Sequence, residues 1–292
     1  MIPLLGIFVV FFSVLGGFLL ENGKVLPLVQ PAEVVMIVGS AAGTLLTANS
    51  LRLLRRVAQG VAQVFRRSPR SKAFYLSTLV MLYALFDFSR RHGPAALEDE
   101  LDRPEQSALF RRHAGAVSGA GVLDFICDTL RLTTSVRIDP YQLDNMLQQD
   151  CEIREAVSRA PVDAVAALAD ALPGLGILAA VLGVVITMNS VTDLPKVIGQ
   201  KVAAALIGTF LGIFVSYGLV SPLAAHMEHI RNAEIQYFRI LRSSIAAYAR
   251  GMPVAIVLEF ARRSIPPDLR PGFLELEKAC HRAQGKVVEM PP

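Results

Sequence analysis

The sequence predicts an all-α polytopic membrane protein with four transmembrane helices, a large helical cytoplasmic insert between spans two and three, and a helical cytoplasmic tail. Hydrophobic residues make up 53% of the chain and charged residues only 18%, whereas soluble domains carry about 25% charged residues. The mean hydropathy is +0.46. Four long uncharged runs account for much of this value. These observations place the chain in the lipid bilayer.

Four runs have the length that a membrane helix requires, which is about 17–25 residues. The predicted spans cover 2–20, 34–51, 171–192 and 201–228. The first run has no basic residue before it and no small-residue cleavage site after it, so we interpret it as a retained span and not as a signal peptide. Gly39 and Gly43 in the second run predict simple helix packing. The apolar run 73–86 is too short to span and predicts a helix that packs on others or lies at the membrane surface.

The distribution of basic residues predicts the orientation. Of the 29 lysines and arginines, only Lys24, Lys196 and Lys201 lie in the two loops between paired spans. The positive-inside rule therefore places both termini and the middle segment in the cytoplasm. The predicted domains are transmembrane helices one and two in 1–54, a cytoplasmic helical domain in 55–170, transmembrane helices three and four in 171–225, and a cytoplasmic helical tail in 226–292.

The tail continues the fourth span as a helix, because apolar residues from Phe238 onward recur every three or four positions. Gly251 and Pro253 supply a stop signal. A further short helix is predicted over 254–263, and the end of the chain, QGKVVEMPP, is expected to be unstructured.

Spans three and four both carry a face of small residues, which lets another helix approach closely. The face in the fourth span consists of Ala204, Gly208, Gly212 and Ser216, and that in the third consists of Gly176, Ala180, Gly183 and Thr187. Each span is also associated with one proline, which removes a backbone hydrogen bond. These are Pro173 and Pro222. Two such spans are typical of a pair that lines a channel together.

None of the four predicted spans contains Asp, Glu, Lys, Arg or His within its uncharged core. A proton pathway through a membrane usually needs a titratable group at depth. The chain offers hydroxyl groups instead, among them Thr187, Thr209 and Tyr217. If the chain conducts protons, a partner must therefore supply the carboxylate.

The sequence gives no indication of an enzyme, a cofactor or a metal site. It has no catalytic cluster and no phosphate-binding glycine loop. Cys127, Cys151 and Cys280 lack metal-ligand spacing and are interpreted as reduced thiols.

Several long stretches resemble the MotA family of flagellar stator subunits in order and spacing. They are PLVQPAEVVMIVGSAAGTLLTAN, DALPGLGILAAVLGVV and KVAAALIGTFLGIFVSYGLVSPLA, and the resemblance continues through FSRRHGPAALEDELDRPEQSALF and VLDFICDTLRL. It covers nearly the whole chain and is weakest at the C-terminal end.

The resemblance implies a homopentamer around a MotB dimer that carries the essential intramembrane aspartate. Pro173 and Pro222 match the prolines that the family ties to its conformational cycle, and Thr209 matches the threonine that faces the ion path. Arg90 and Glu98 match the charged residues that engage the rotor protein FliG. The residues predicted for the ion pathway and its conformational coupling are Pro173, Ala180, Thr187, Thr209, Tyr217 and Pro222.

The third span also bears on ion identity. Sodium-driven relatives tend to place a threonine where Ala179 and Ala180 stand, and alanine has no side-chain oxygen to replace a sodium ion's hydration shell. Proton coupling is therefore predicted. The alternative is a TolQ/ExbB-type energiser of envelope machinery, but in that type a single span precedes the first cytoplasmic segment, whereas two precede it here.

Overall fold

The computed structural model is all-helical over the residues that it describes, which are 2–23, 25–65, 70–119, 121–135, 138–188 and 194–287. A short 3-10 turn lies at Leu26–Leu28 and a π-helical segment at Ser216–Val220. The α-helices are α1 (Ile2–Leu20), α2 (Pro31–Ala48), α3 (Leu51–Val64), α4 (Lys72–His92), α5 (Pro94–Asp102), α6 (Ala108–Arg111), α7 (Val122–Ser135), α8 (Pro140–Met188), α9 (Pro195–Val215), α10 (Ser221–Ala249), α11 (Val254–Arg263) and α12 (Phe273–Val287).

The chain divides into two compact units. Unit 1 consists of Met1–Arg67 and Ala156–Arg231, and unit 2 consists of Ser68–Glu155 and Asn232–Pro292. The helices α8 and α10 contribute residues to both units.

Four helices among the described residues are long and apolar enough to cross a membrane. This confirms the prediction of four membrane-capable helices. The first predicted span coincides with α1. The third forms the last part of the long helix α8, which ends at Met188, and 189–193 lie outside the described residues. The fourth lies in α9, the π-helical segment and α10, which follow one another directly.

The second span begins earlier than the sequence predicted. Its helix α2 starts at Pro31 and ends at Ala48, because proline fits the first helical position, where its missing N–H has no partner to lose. Glu33 therefore lies inside the first turn of the helix and not in the preceding loop. Gly39 and Gly43 were predicted to pack against a helix, but a Cβ atom at either position would meet nothing within 4 Å. Within this chain, that packing prediction is wrong.

Unit 2 is built around α4, which confirms that 73–86 forms a helix packed on others. Leu79, Met81, Leu82 and Leu85 in this helix are 0% exposed. Tyr237 of α10 completes the core by donating its hydroxyl to the Ala116 carbonyl at 2.6 Å. The helix thus buries large side chains around most of its circumference.

The C-terminal segment is more helical than predicted. The helix α10 ends at Ala249, and Gly251 follows with a φ of 76°; α11 covers the predicted range. However, α12 continues to Val287, so the expectation of an unstructured end is wrong as far as this residue. Leu276 and Cys280, four residues apart in α12, are buried in the core of unit 2, and this burial stabilises the helix.

All three cysteines are free and buried, as expected of reduced thiols. Burial raises the pKa of Cys127 and of Cys280 to about 11. Both thiols therefore stay protonated and unreactive near neutral pH.

Candidate functional site

The helices α8 and α9 touch backbone to backbone in unit 1. A Cβ atom at Gly176 would lie 2.8 Å from the Gly208 carbonyl oxygen and 3.0 Å from the Gly212 Cα atom. One at Gly212 would lie 2.7 Å from the Leu172 carbonyl oxygen. Because real Cβ atoms do not approach backbone this closely, the contact requires glycine on both helices. We call the contact formed by Gly176, Gly183, Ala205, Gly208 and Gly212 the glycine seam.

In the fourth span, the structure has Ala205 at the helix contact where the predicted small face has Ala204. A Cβ atom at Gly183 would lie 2.7 Å from the Ala205 Cβ atom, and Ala205 is 1% exposed, whereas Ala204 is half-buried. A strict four-residue repeat drifts around a helix that has 3.6 residues per turn. The contact therefore passes from Gly208 to Ala205, three residues away, and the inclusion of Ala204 was wrong.

The predicted ion-pathway residues are placed differently with respect to the seam. Thr209 is half-buried and follows Gly208 directly. Ala180 is half-buried, and its backbone nitrogen would lie 3.3 Å from a Cβ atom at Gly208. Thr187 is 5% exposed and donates its hydroxyl to the Gly183 carbonyl at 2.8 Å. Tyr217 is 67% exposed and lies in the π-helical segment.

The two prolines both lie within unit 1. Pro173 is a half-buried residue inside α8, and Pro222 is an exposed residue in the first turn of α10. The π-helical segment immediately precedes Pro222. The sequence predicted an interruption near Pro222, and the described helix changes its hydrogen-bonding pattern there.

Glu33 is a functional candidate that the sequence analysis missed. It is 6% exposed, and its Oε2 atom has no hydrogen-bond partner among the described residues. A Cβ atom at Gly208 would lie 2.6 Å from that oxygen, and one at Gly183 would lie 3.6 Å from Oε1. The carboxyl group of α2 thus lies against the glycine seam. The expectation that the spans hold no ionisable group is wrong for α2, and Pro31 as a helix start was the signal that could have revealed it.

The predicted rotor residues lie on either side of a tight turn in unit 2. Arg90 is exposed in the last turn of α4, and Glu98 is half-buried in α5. Gly93 joins the two helices with a φ of 88°, which favours glycine. Arg91, the neighbour of Arg90, forms an ion pair with Asp87 at 3.0 Å.

Comparisons with known proteins identify the family. Residues 4–93 match the family model "Motility protein A N-terminal", and residues 122–240 match "MotA/TolQ/ExbB proton channel family". The chain is 33% identical over 278 residues to Motility protein A of Escherichia coli (strain K12), covering 95% of this chain and 94% of that protein. It is 32% identical over 281 residues to Chemotaxis protein LafT of Vibrio parahaemolyticus, covering 96% of this chain and 99% of that protein.

Two solved structures have the same fold at low sequence identity. The C. jejuni MotAB structure contains a chain that matches with a TM-score of 0.75 at 16% identity, covering 91% of this chain and 96% of that one. The flagellar MotAB stator complex from Bacillus subtilis matches with a TM-score of 0.70 at 17% identity, covering 92% and 98%. From the sequence matches along nearly its whole length, the chain belongs to the motility protein A family within the MotA/TolQ/ExbB proton channel family.

Proposed function

We propose that this chain is a stator subunit of the bacterial flagellar motor that assembles with a MotB-like partner and couples proton flow to torque. The observation that carries the proposal is the glycine seam, with the Thr209 hydroxyl beside it. Glu33 is enclosed within unit 1, so it does not replace a carboxylate that an ion would meet at the surface of this unit. The partner's intramembrane aspartate supplies that group.

The exposed face of α8 supports assembly with other membrane helices. Large apolar residues along its last turns are exposed in the single chain, namely Ile177, Leu178, Val181, Leu182 and Val185. In a membrane, this face contacts lipid, further copies of the chain, or the partner. A homopentamer around a MotB dimer would use it in this way.

The proposed orientation is supported by the arginines after α2. Arg52, Arg55 and Arg56 are exposed on α3, and such a cluster beside a span remains on the cytoplasmic side. In the proposed arrangement both termini lie in the cytoplasm, and the membrane is the bacterial inner membrane, in agreement with the family match. The predicted segments 55–170 and 226–292 are cytoplasmic in this arrangement.

Arg90 and Glu98 are proposed to contact the rotor protein FliG. Reversing both charges (Arg90→Glu with Glu98→Lys) is expected to reduce torque strongly without reducing the amount of protein in the membrane. The control reverses one acidic and one basic residue elsewhere in unit 2, Glu105→Lys with Arg111→Glu, both of which are exposed. Undiminished torque in the first double variant would remove the rotor contact from the proposal.

The third span favours protons over sodium. Ala179 is 1% exposed and Ala180 is half-buried, and neither side chain has an oxygen atom that could replace water around a sodium ion. A TolQ/ExbB-type energiser is less well supported, because both α1 and α2 precede the middle segment and residues 4–93 match the motility-specific family model.

The proposal is tested in a strain from which every stator gene has been deleted. We expect this chain and a MotB-type partner together to restore swimming, and either protein alone to leave the cells immotile. Thr209→Ser keeps a hydroxyl group and should retain most of the speed, whereas Thr209→Val keeps the shape and should lose most of it. Normal swimming in a strain that lacks this chain and all other stators would overturn the proposal.

A further inference from the structure

The carbonyl of Ala169 in α8 is affected by the proline that follows it. In an α-helix this carbonyl accepts from the N–H four residues later, and that residue is Pro173, which has no N–H. Ala169 is 2% exposed, so water does not easily provide a donor in its place. A buried carbonyl without a partner costs about as much as a lost hydrogen bond.

Ser216, the first residue of the π-helical segment between α9 and α10, supplies the missing donor. Its hydroxyl donates to the Ala169 carbonyl oxygen at 2.6 Å, and the residue is 1% exposed. Both residues lie in unit 1. The hydrogen bond therefore replaces, across two helices, the bond that Pro173 removes within one.

Ser216 also marks the point where the α-helical pattern of α9 changes to the π-helical pattern. Its backbone N–H donates to the Gly212 and Ile213 carbonyls, and its carbonyl accepts from the N–H of Ser221. The latter bond spans five residues, as in a π-helix. Pro222 follows at once and cannot bond to the Gly218 carbonyl. The turn of α8 that contains Pro173 and the π-helical segment before Pro222 both lack a regular α-helical hydrogen bond, and Ser216 connects them.

We propose that Ser216 is a positioning residue that ties the Pro173 turn of α8 to the π-helical segment before Pro222, so that the two turns move together. This deepens the proposed function, because the motion in question is the one that would accompany ion passage. The direct evidence is the buried 2.6 Å hydrogen bond and the proline four residues after its acceptor.

The hydrogen bond is tested first by a measurement that does not depend on motility. The chain is purified with a MotB-type partner in lipid nanodiscs, and hydrogen–deuterium exchange is followed in peptides that cover 165–177. Ser216→Ala should accelerate exchange there by about three- to tenfold, the effect of losing one buried hydrogen bond. Ser216→Cys, which has nearly the same size and keeps a weaker donor, should accelerate exchange less than Ser216→Ala does. The control Ser221→Ala removes a half-buried hydroxyl nearby and should have no effect on this segment.

A double-variant cycle tests the assignment of the acceptor. Pro173→Ala returns an N–H to α8 that can bond to the Ala169 carbonyl, so the Ser216 hydroxyl becomes redundant. In that background, Ser216→Ala should change exchange by less than about twofold. An equal acceleration with and without Pro173 would overturn the assignment. If Ser216→Ala yields too little complex, Ser216→Cys, which has nearly the same size and is a weaker donor, takes its place.

Rotation speed then tests whether the tie matters for the proposed function. Ser216→Ala should slow the motor by about half or more, and Ser216→Cys, which keeps a weaker donor of nearly the same size, should restore part of the speed, a rescue that points to the side-chain donor. Accelerated exchange with normal rotation would overturn the positioning role. Unchanged exchange would overturn the tie itself, whatever the motor does. If the unchanged chain does not drive rotation but the exchange results are as predicted, the proposed motor function is wrong and the hydrogen-bonded connection between the two turns is still supported.

Discussion

The helices of the two units pack against their neighbours in opposite ways. In unit 1, α8 and α9 meet through glycine, and many of the large apolar side chains in the last turns of α8 are exposed, with Leu178 51% exposed. In unit 2, α4 buries its large side chains, and Leu82 is 0% exposed. One contact is made of backbone and the other of side chains.

This difference separates the kinds of change that each unit tolerates. Backbone atoms at a helix contact cannot move aside, so an added methyl group is the damaging change in unit 1. Side chains in unit 2 can adjust around a substitution, and the damaging change there is the removal of atoms, which leaves a cavity. The exposed apolar surface of unit 1 is consistent with a unit that lipid and partner helices cover. Unit 2, in contrast, buries its own hydrophobic core.

The largest effect is expected from a single methyl group in the glycine seam. Gly212→Ala would place a Cβ atom 2.7 Å from the Leu172 carbonyl oxygen, so we expect loss of motility and of assembled complex. Gly174→Ala adds the same atom to α8 where a Cβ atom meets nothing within 4 Å, and it should be tolerated. The amount of complex recovered from membranes and the swimming speed measure both. Equal outcomes would show that the seam does not determine packing.

The next effect is expected from a cavity in unit 2. Leu82→Ala should lower the free energy of unfolding by about 2–5 kcal/mol, because it removes fully buried atoms. Leu178→Ala in the exposed face of α8 should change the thermal stability of the detergent-solubilised single chain very little. Thermal unfolding monitored by circular dichroism distinguishes the two, and a similar loss in both would contradict the contrast between the units.

A smaller, compensating effect is expected at Glu33. Gly208→Ala would place a Cβ atom 2.6 Å from the Glu33 Oε2 atom, and shortening the acid in the same chain (Glu33→Ala) should recover part of the lost complex. Recovery is expected to be incomplete, because the same Cβ atom would also lie 3.2 Å from the Ala179 Cβ atom. Complex yield after affinity purification is the measurement. If the double variant is recovered no better than Gly208→Ala alone, the carboxyl group does not occupy that space.

The smallest effect is a pH dependence in unit 2. Hydrogen bonds from Arg262, and then from Arg263, lower the pKa of Glu259 to about 2. The ordinary pKa of glutamate is about 4.3, so this group stabilises the fold fully above that pH and its contribution is lost as the pH falls toward 2. Glu259→Gln should therefore flatten the stability profile over this acidic window. The control Glu277→Gln changes an exposed residue, and an identical profile for both variants would contradict the assignment.

The sequence predicts the helices of this fold well, because hydrophobic length and small-residue spacing act locally. The bounds of α1 and α11 and the glycine-lined faces of α8 and α9 are examples. Details set by neighbouring helices were less accessible. The glycine seam includes Ala205 because a helix of 3.6 residues per turn drifts relative to a four-residue repeat. The helix α12 extends further than predicted because Leu276 packs in the core of unit 2.

The candidate site shows the same division. Residue types indicated Thr209 and the two prolines, but not that the Ser216 hydroxyl would reach Ala169 from a helix 47 positions away in the sequence. The sequence predicts Glu33 in a loop, because a charged residue marks the end of an uncharged run. Only the placement of α2 against the seam shows that this carboxyl group is buried. The roles of Arg90 and Glu98 depend on a partner and stay predictions.

Proton coupling is the central claim, and the ion dependence of rotation tests it most directly. Cells that carry this chain and a MotB-type partner as their only stator are tethered. Their rotation speed is measured as sodium is varied from none to high concentration at constant pH and ionic strength. We expect the speed to stay constant and to fall to zero on addition of a protonophore. Rotation that stops without sodium and survives the protonophore would contradict the account.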